Sequence, residues 1–190
     1  GARLKGRDLR YAKATRTFLV KADLREANLE GAVLEGANLC EAKLQWANLQ
    51  GAILVEANLE RANLSSRAVK KQKSKPFWMY GMFLTPVTNL QYAALDLANL
   101  READLAAVDL RGARLVYADL EKADLEAANI QGADLQRANL QGAILRKANL
   151  SRSNLGSADL RGANLFLSNL YKANLRSANL QGAYLEGAAM

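Results

Sequence analysis

Two sets of side chains in this chain are of types and spacings that could do chemistry. The first is a run of carboxylates at multiples of five residues, including Asp104, Asp109, Asp119 and Asp124. Paired carboxylates serve general acid–base catalysis, and stacked ones could hold a cation. The second is the segment "RAVKKQKSKPFWMYGMFL", which sets Lys70, Lys71, Lys73 and Lys75 beside Phe77, Trp78, Met79, Tyr80, Met82, Phe83 and Leu84. Lysines next to aromatics and methionines suit an anionic surface or the core of a protein interface. The chain has no histidine, which removes the usual proton carrier of neutral-pH catalysis and any Ser–His–Asp set. A single cysteine, Cys40, excludes an internal disulfide framework and a multi-cysteine zinc site. No phosphate-cradling "GxxxxGK" is present.

What positions these residues is a period of five. Taking the recurrent leucine as the centre of a unit, centres fall every five residues from 4 to 64 and again from 90 to 190, 13 units and then 21. Leucine fills 31 of these 34 centres, the exceptions being Ala14, Ile130 and Met190, and alanine stands two residues earlier in 28. On an α-helix a five-residue step advances about 140° past a full turn, which smears leucines around the cylinder. On a continuous strand an odd step flips the side chain to the other face. One core results only if the chain turns after every unit and aims each leucine inward. Asn and Asp before the centre suit corners, since their side chains bond nearby backbone. Glycines such as Gly31, Gly51 and Gly132 suit turns that need positive φ. The carboxylates of the first set thus follow the period, and a rod filled with leucine has no pocket for them to line. No catalytic, cofactor-binding or metal-binding residue is assigned, and the chain reads as a non-enzyme.

"ADLREANLEGA" and "ANLRSANLQGA" resemble the pentapeptide-repeat family, whose unit is A(D/N)LXX, over all but about 25 residues. The resemblance implies an all-β, right-handed quadrilateral β-helix, a pentapeptide-repeat solenoid with one unit per face and four units per coil. Thirty-four units then make 8–9 coils, a rod roughly 40 Å long at the spacing of paired strands. Arg7 and Thr17 at alanine positions, with Lys13 and Phe18 before centres, predict an irregular first coil within 1–64, a frayed end or a cap.

Residues 65–88 do not fit the repeat. Continuing the register would centre units on Val69, Ser74, Met79 and Leu84, with Arg67, Gln72, Phe77 and Met82 where alanine is needed, and 64 to 90 is one residue more than five units. The spacing predicts one solenoid of 1–64 and 89–190 interrupted by a basic, aromatic insertion loop. The loop either folds back on the rod, binds a protein, or rests on an anionic membrane surface; base stacking on its aromatics is a weaker reading.

Positions four units apart stack on one face. Ile144, Phe166, Leu167 and Tyr184 then form an apolar patch, a candidate self-association or partner surface. The last 55 residues also hold Arg137, Arg146, Lys147, Arg152, Arg161, Lys172 and Arg176 against Asp159 and Glu186, part of a net charge of +7. Two explanations compete for the uncapped C-terminal coil: end-to-end pairing of two copies, or a chain that continues. The opening on Gly1 rather than Met fits a processed or truncated terminus. No apolar run reaches the length of a membrane-spanning helix and no signal peptide is visible, so a soluble chain, cytoplasmic by default, is expected, with peripheral membrane attachment through Lys70–Leu84 as the alternative.

The leading reading is a non-catalytic scaffold that meets a protein partner through the 65–88 loop and its outward faces. The runner-up draws on the resemblance: some pentapeptide-repeat proteins imitate DNA and inhibit type II topoisomerases. A DNA mimic needs an acidic face, and the net positive charge speaks against it, as Cys40, outward and incidental, speaks for no redox role.

Overall fold

A typical five-residue unit in the computed structural model, which describes residues 1–66 and 87–190, finds a bonding partner for every one of its backbone N–H groups. The unit 22–26 illustrates the scheme. Ala22 N–H closes a turn on Leu19 O at 3.0 Å; Asp23 donates back to Ala2 O at 2.8 Å; Leu24 and Glu26 donate forward to Lys43 O and Gln45 O at 2.8 and 3.0 Å. The fifth, Arg25 N–H, goes to the side chain of Asp23, 3.3 Å to Oδ1. The A(D/N)LXX pattern follows from this pairing. The residue before the centre must supply an acceptor that the backbone cannot, because a buried or half-buried N–H without a partner costs about 1–3 kcal/mol.

The turn falls after the centre rather than at Asn or Asp. The second residue past the centre has positive φ, between 53° and 69°, from Gly6 to Arg61 and from Tyr92 to Gly187, with glycine at 10 such positions and other residues at 22. Positive φ at the third residue of a hydrogen-bonded four-residue turn is the type II geometry. The Asn and Asp side chains therefore brace the turn, while their backbone carries the parallel bridges.

Those bridges join positions 20 apart, as in Asp119↔Asn139↔Asp159, so that four units complete one circuit. Four ladders result, and the sides they run along are called faces I to IV. Face I passes through Asp124, Ile144, Asn164 and Tyr184, and face III, two turns away, through Val33, Ile53, Ala94 and Arg114. Faces II and IV run through Asn129↔Asn149 and Asn139↔Asp159. Leucine and alanine from all four fill the interior; Leu44, Leu54, Ala57 and Ala138 have no exposure at all.

Residues 1–20 make the same bridges as the rest, from Arg3↔Asp23 to Phe18↔Asn38. The expected irregularity is absent from their backbone. Arg7 stands exposed at its alanine position, and the Thr17 hydroxyl donates to Ala14 O at 2.7 Å, so neither disturbs the bridges.

Candidate interaction surfaces

Three sets of outward side chains stand apart from the regular pattern. The first lies where the repeat is interrupted. Bridged positions differ by 20 elsewhere but by 41 from Asn48↔Asn89 to Asn63↔Asp104. Here the bonding rule asks Trp46 N–H to reach the Ser65 carbonyl. It donates instead to Thr88 Oγ1 at 2.7 Å. Thr88 occupies an inward alanine position, fully buried, and its own N–H donates to Ser66 Oγ at 2.8 Å. Ser66 N–H continues the regular ladder to Ala106 O. Two hydroxyls thus stitch the coil closed across the interruption. Ser66 and Thr88, which the spacing assigns to the insertion, bond as members of the stacked coils, since serine and threonine can imitate the backbone groups that the missing unit would offer. Lys70, Lys71, Lys73, Lys75, Phe77, Trp78, Met79, Tyr80, Met82, Phe83 and Leu84 lie outside the described residues.

The second set is the C-terminal apolar patch on face I. Stacking brings its four residues together. Ile144 and Tyr184 flank Asn164 on one ladder. The Phe166 and Tyr184 rings stack with centroids 5.9 Å apart, and the Arg146 guanidinium lies over Phe166 at 5.8 Å. Leu167 takes the corner and covers Gly187, where an added Cβ would meet its Cδ2 at 2.7 Å. Tyr184 donates its hydroxyl to Glu186, and that bond holds the phenol proton above its usual range. Arg146, Asn164, Phe166 and Tyr184 line a shallow open cleft, with Arg146 Nε buried and unbonded.

The third set escapes a reading of the sequence alone. Face III carries Val33, Ile53 and Ala94 in succession on one ladder, with Leu97 and Tyr117 at the adjoining corner. Ile53, Leu97 and Tyr117 are each 40–54% exposed. The signal that would have found it is the longer step across the interruption, which stacks Ala94 on Ile53. At Val33, Ile53, Ala94, Ile144 and Tyr184 the residue before the centre is neither Asn nor Asp. The N–H of Glu35, Val55, Asp96, Arg146 and Glu186 accordingly has no side-chain acceptor among the described residues, unlike Glu30 or Gln141.

Charge is zoned along the rod. Residues 1–20 hold six basic side chains and one acidic; 21–66 with 87–130 hold eight basic and fifteen acidic; 131–190 hold seven basic and three acidic. Many of these are paired. Asp-Leu-Arg units form forks within themselves, such as Arg25 Nη2 to Asp23 Oδ2 at 2.6 Å and Arg161 Nη2 to Asp159 Oδ2 at 2.6 Å. Hydrogen bonds from Arg25 hold the Asp23 carboxyl down at about 2. Between coils, Arg61 meets Glu102 at 2.8 Å and Arg114 meets Asp96 at 2.8 Å. Cys40 is half-buried, and burial pushes its thiol up, away from reactivity. No helix among the described residues is long and apolar enough to cross a membrane.

Comparison with known proteins finds the same repeat. The family described as pentapeptide repeats matches in eight copies, over 2–39, 42–66, 88–115, 103–142, 128–165 and 168–190. Among solved structures, the chain is 30% identical to HetL, a pentapeptide repeat protein involved in heterocyst differentiation regulation from the cyanobacterium Nostoc, over 97% of this chain and 87% of that one, at a TM-score of 0.33. It is 34% identical to Rfr23 from the cyanobacterium Cyanothece over 75% of this chain and 90% of that one, at a TM-score of 0.41. It is 18% identical to QnrB1, a plasmid-mediated fluoroquinolone resistance protein, over 98% and 90%, at a TM-score of 0.48. No curated protein matches the chain.

Proposed function

The chain belongs to the pentapeptide-repeat family, whose members fold as right-handed quadrilateral β-helices, and from that premise we propose that it is a non-catalytic scaffold that binds a protein partner. The solenoid of 8–9 coils runs as one body through the interruption, and the 65–88 segment is its principal contact. The observation that carries this reading is the hydroxyl stitch. Thr88 N–H donates to Ser66 Oγ at 2.8 Å, so the stretch that holds the basic and aromatic residues begins and ends on a bonded base. A protein surface suits them better than a small molecule, since aromatics and methionine favour interface cores.

The test is affinity capture with the wild-type chain and with Trp78→Ala/Phe83→Ala, followed by reconstitution of any captured pair from purified components. The scaffold reading expects a binary complex that the double variant weakens about tenfold or more. An undiminished complex moves the contact elsewhere on the rod.

One observation favours a second reading, inhibition of a type II topoisomerase. The middle of the rod carries fifteen acidic residues against eight basic ones, an acidic belt that the overall charge conceals. A gyrase supercoiling assay separates the two: inhibition that disappears on deletion of 66–87 favours the topoisomerase, and unaffected supercoiling removes it.

A further inference from the structure

We propose that the two apolar strips are the two halves of one contact, and that the occupant of each is a second copy of this chain, docked side by side and staggered along the rod. The unpaired charges nearest the two apolar cores are of opposite sign. On face I, Phe166 and Tyr184 are flanked by Arg146 and Lys147, neither of which has an acidic partner among the described residues. On face III, Ile53 and Leu97 are flanked by Glu35 and Glu56, which have no basic partner among the described residues; Arg114 on the same ladder is taken up by Asp96, and Lys13 and Arg16 lie at the far end of the strip, beyond Val33. Many other charges are already paired within or between coils, as at Arg25–Asp23 and Arg61–Glu102.

The strips also depart from the repeat in the same way. An Asn or Asp before the centre accepts the next free N–H, as Asn28 does from Glu30 and Asn149 from Ser151. Val33, Ile53, Ala94, Ile144 and Tyr184 give that bond up. A bond of this kind contributes about 0.5–1.5 kcal/mol, so folding alone favours Asn or Asp there. Apolar side chains at these positions gain further when a second surface covers them, and an interface with an aromatic core and charged rim is the kind that does so.

Faces I and III lie two turns apart on each coil, so the strips point away from each other. One copy therefore meets two neighbours, one through each strip. The contact is heterologous and extends without closing. It is distinct from the loop contact proposed above and survives that reading's failure, because it uses no residue between 67 and 86.

Sedimentation and light scattering over a concentration series test it. Wild-type chain is expected to gain mass progressively with concentration at low salt and to lose that gain at about 0.5 M salt, where exposed charges are screened. Arg146→Glu/Lys147→Glu, with face III intact, and Glu35→Lys/Glu56→Lys, with face I intact, should each weaken association about tenfold or more. Mixed together, the two variants should recover open growth that neither shows alone, because native strip meets native strip and the two reversed strips are again complementary. All four changes on one chain should restore open growth. These positions are exposed or half-exposed, and an unchanged thermal melt shows that the variants fold; Arg146→Gln/Lys147→Gln supplies a milder second variant. A wild-type chain that stays monomeric up to about 1 mM, association that ignores both reversals, or a mixture no larger than its parts overturns the proposal.

Discussion

The regular coils and the stitched junction reach the same bonded state by different means. In the regular coils, such as 133–165, backbone-to-backbone bonds stack one coil on the next, and any one unit resembles its neighbours. At the junction, one buried threonine and one serine do the work of a missing unit, with Thr88 Oγ1 accepting where the Ser65 carbonyl would. The contrast teaches that stability in the coils is spread over many equivalent positions, whereas at the junction it rests on single side chains. Stacked repeats behave as a sum of nearest-neighbour terms. A defect in a coil should therefore be damaging but local, and a defect at the junction should loosen both halves.

The largest effect is expected in the core. Leu135→Ala removes a side chain that is 1% exposed from the middle of the C-terminal stack, and thermal or denaturant melting should register a loss of about 2–5 kcal/mol. Ala138→Leu acts in the opposite sense. That alanine has no exposure, the interior leaves no room beside the adjoining leucines, and overpacking should cost about 1–3 kcal/mol in the same assay.

Next comes the junction itself. Thr88→Val keeps the shape but leaves Trp46 N–H without an acceptor, at a cost of about 1–3 kcal/mol. The comparison sharpens against Ser153→Ala. Ser153 also sits at a buried inward position, but its hydroxyl only doubles a turn bond to Leu150 O that Ser153 N–H already makes. Its loss should cost less than about 1 kcal/mol. Equal costs at the two sites would mean that the junction hydroxyl is no more than a stand-in for alanine, contrary to the account.

The smallest effect is titration of the Asp-Leu-Arg forks. Asp8, Asp23 and Asp159 are held below their ordinary value by hydrogen bonds from the arginine two positions on. A carboxyl depressed on folding contributes stability that is complete above its unfolded pKa and is lost as pH falls through the folded one. Between the ordinary 3.8 and about 2 for Asp23, the melting temperature should therefore drop. Arg25→Gln should flatten that drop, slightly, because these groups are partly exposed to solvent, which screens the pair.

Much of the fold was legible because a period of five, filled by leucine and alanine, admits one kind of core. The face I patch was legible for the same reason, since Ile144, Asn164 and Tyr184 recur at every fourth unit of an unbroken stretch. Three features were not. Glu102, Lys122 and Arg137 adopt the same positive φ as the corner glycines, and nothing in their side chains announces it; the ladder on either side imposes the turn. Asn and Asp read as corner residues when their role is to accept an N–H beside the corner, a distinction that depends on where the hydrogen bond closes. The face III strip was hidden because Ile53 and Ala94 become neighbours only when the ladder steps over the whole interruption. Ser66 and Thr88 looked foreign to the repeat for a related reason: they serve it through hydroxyls rather than through shape.

The central claim is that the coils continue in register across the interruption, so that Asn48 stacks on Asn89. Engineered disulfides test it directly, in a Cys40→Ser background. Asn48→Cys paired with Asn89→Cys should oxidise readily to an intramolecular bond, as neighbouring bridge positions lie within disulfide reach, while Asn48→Cys paired with Ala68→Cys, the spacing of an uninterrupted coil, should not. Efficient closure of the second pair and failure of the first would contradict the account.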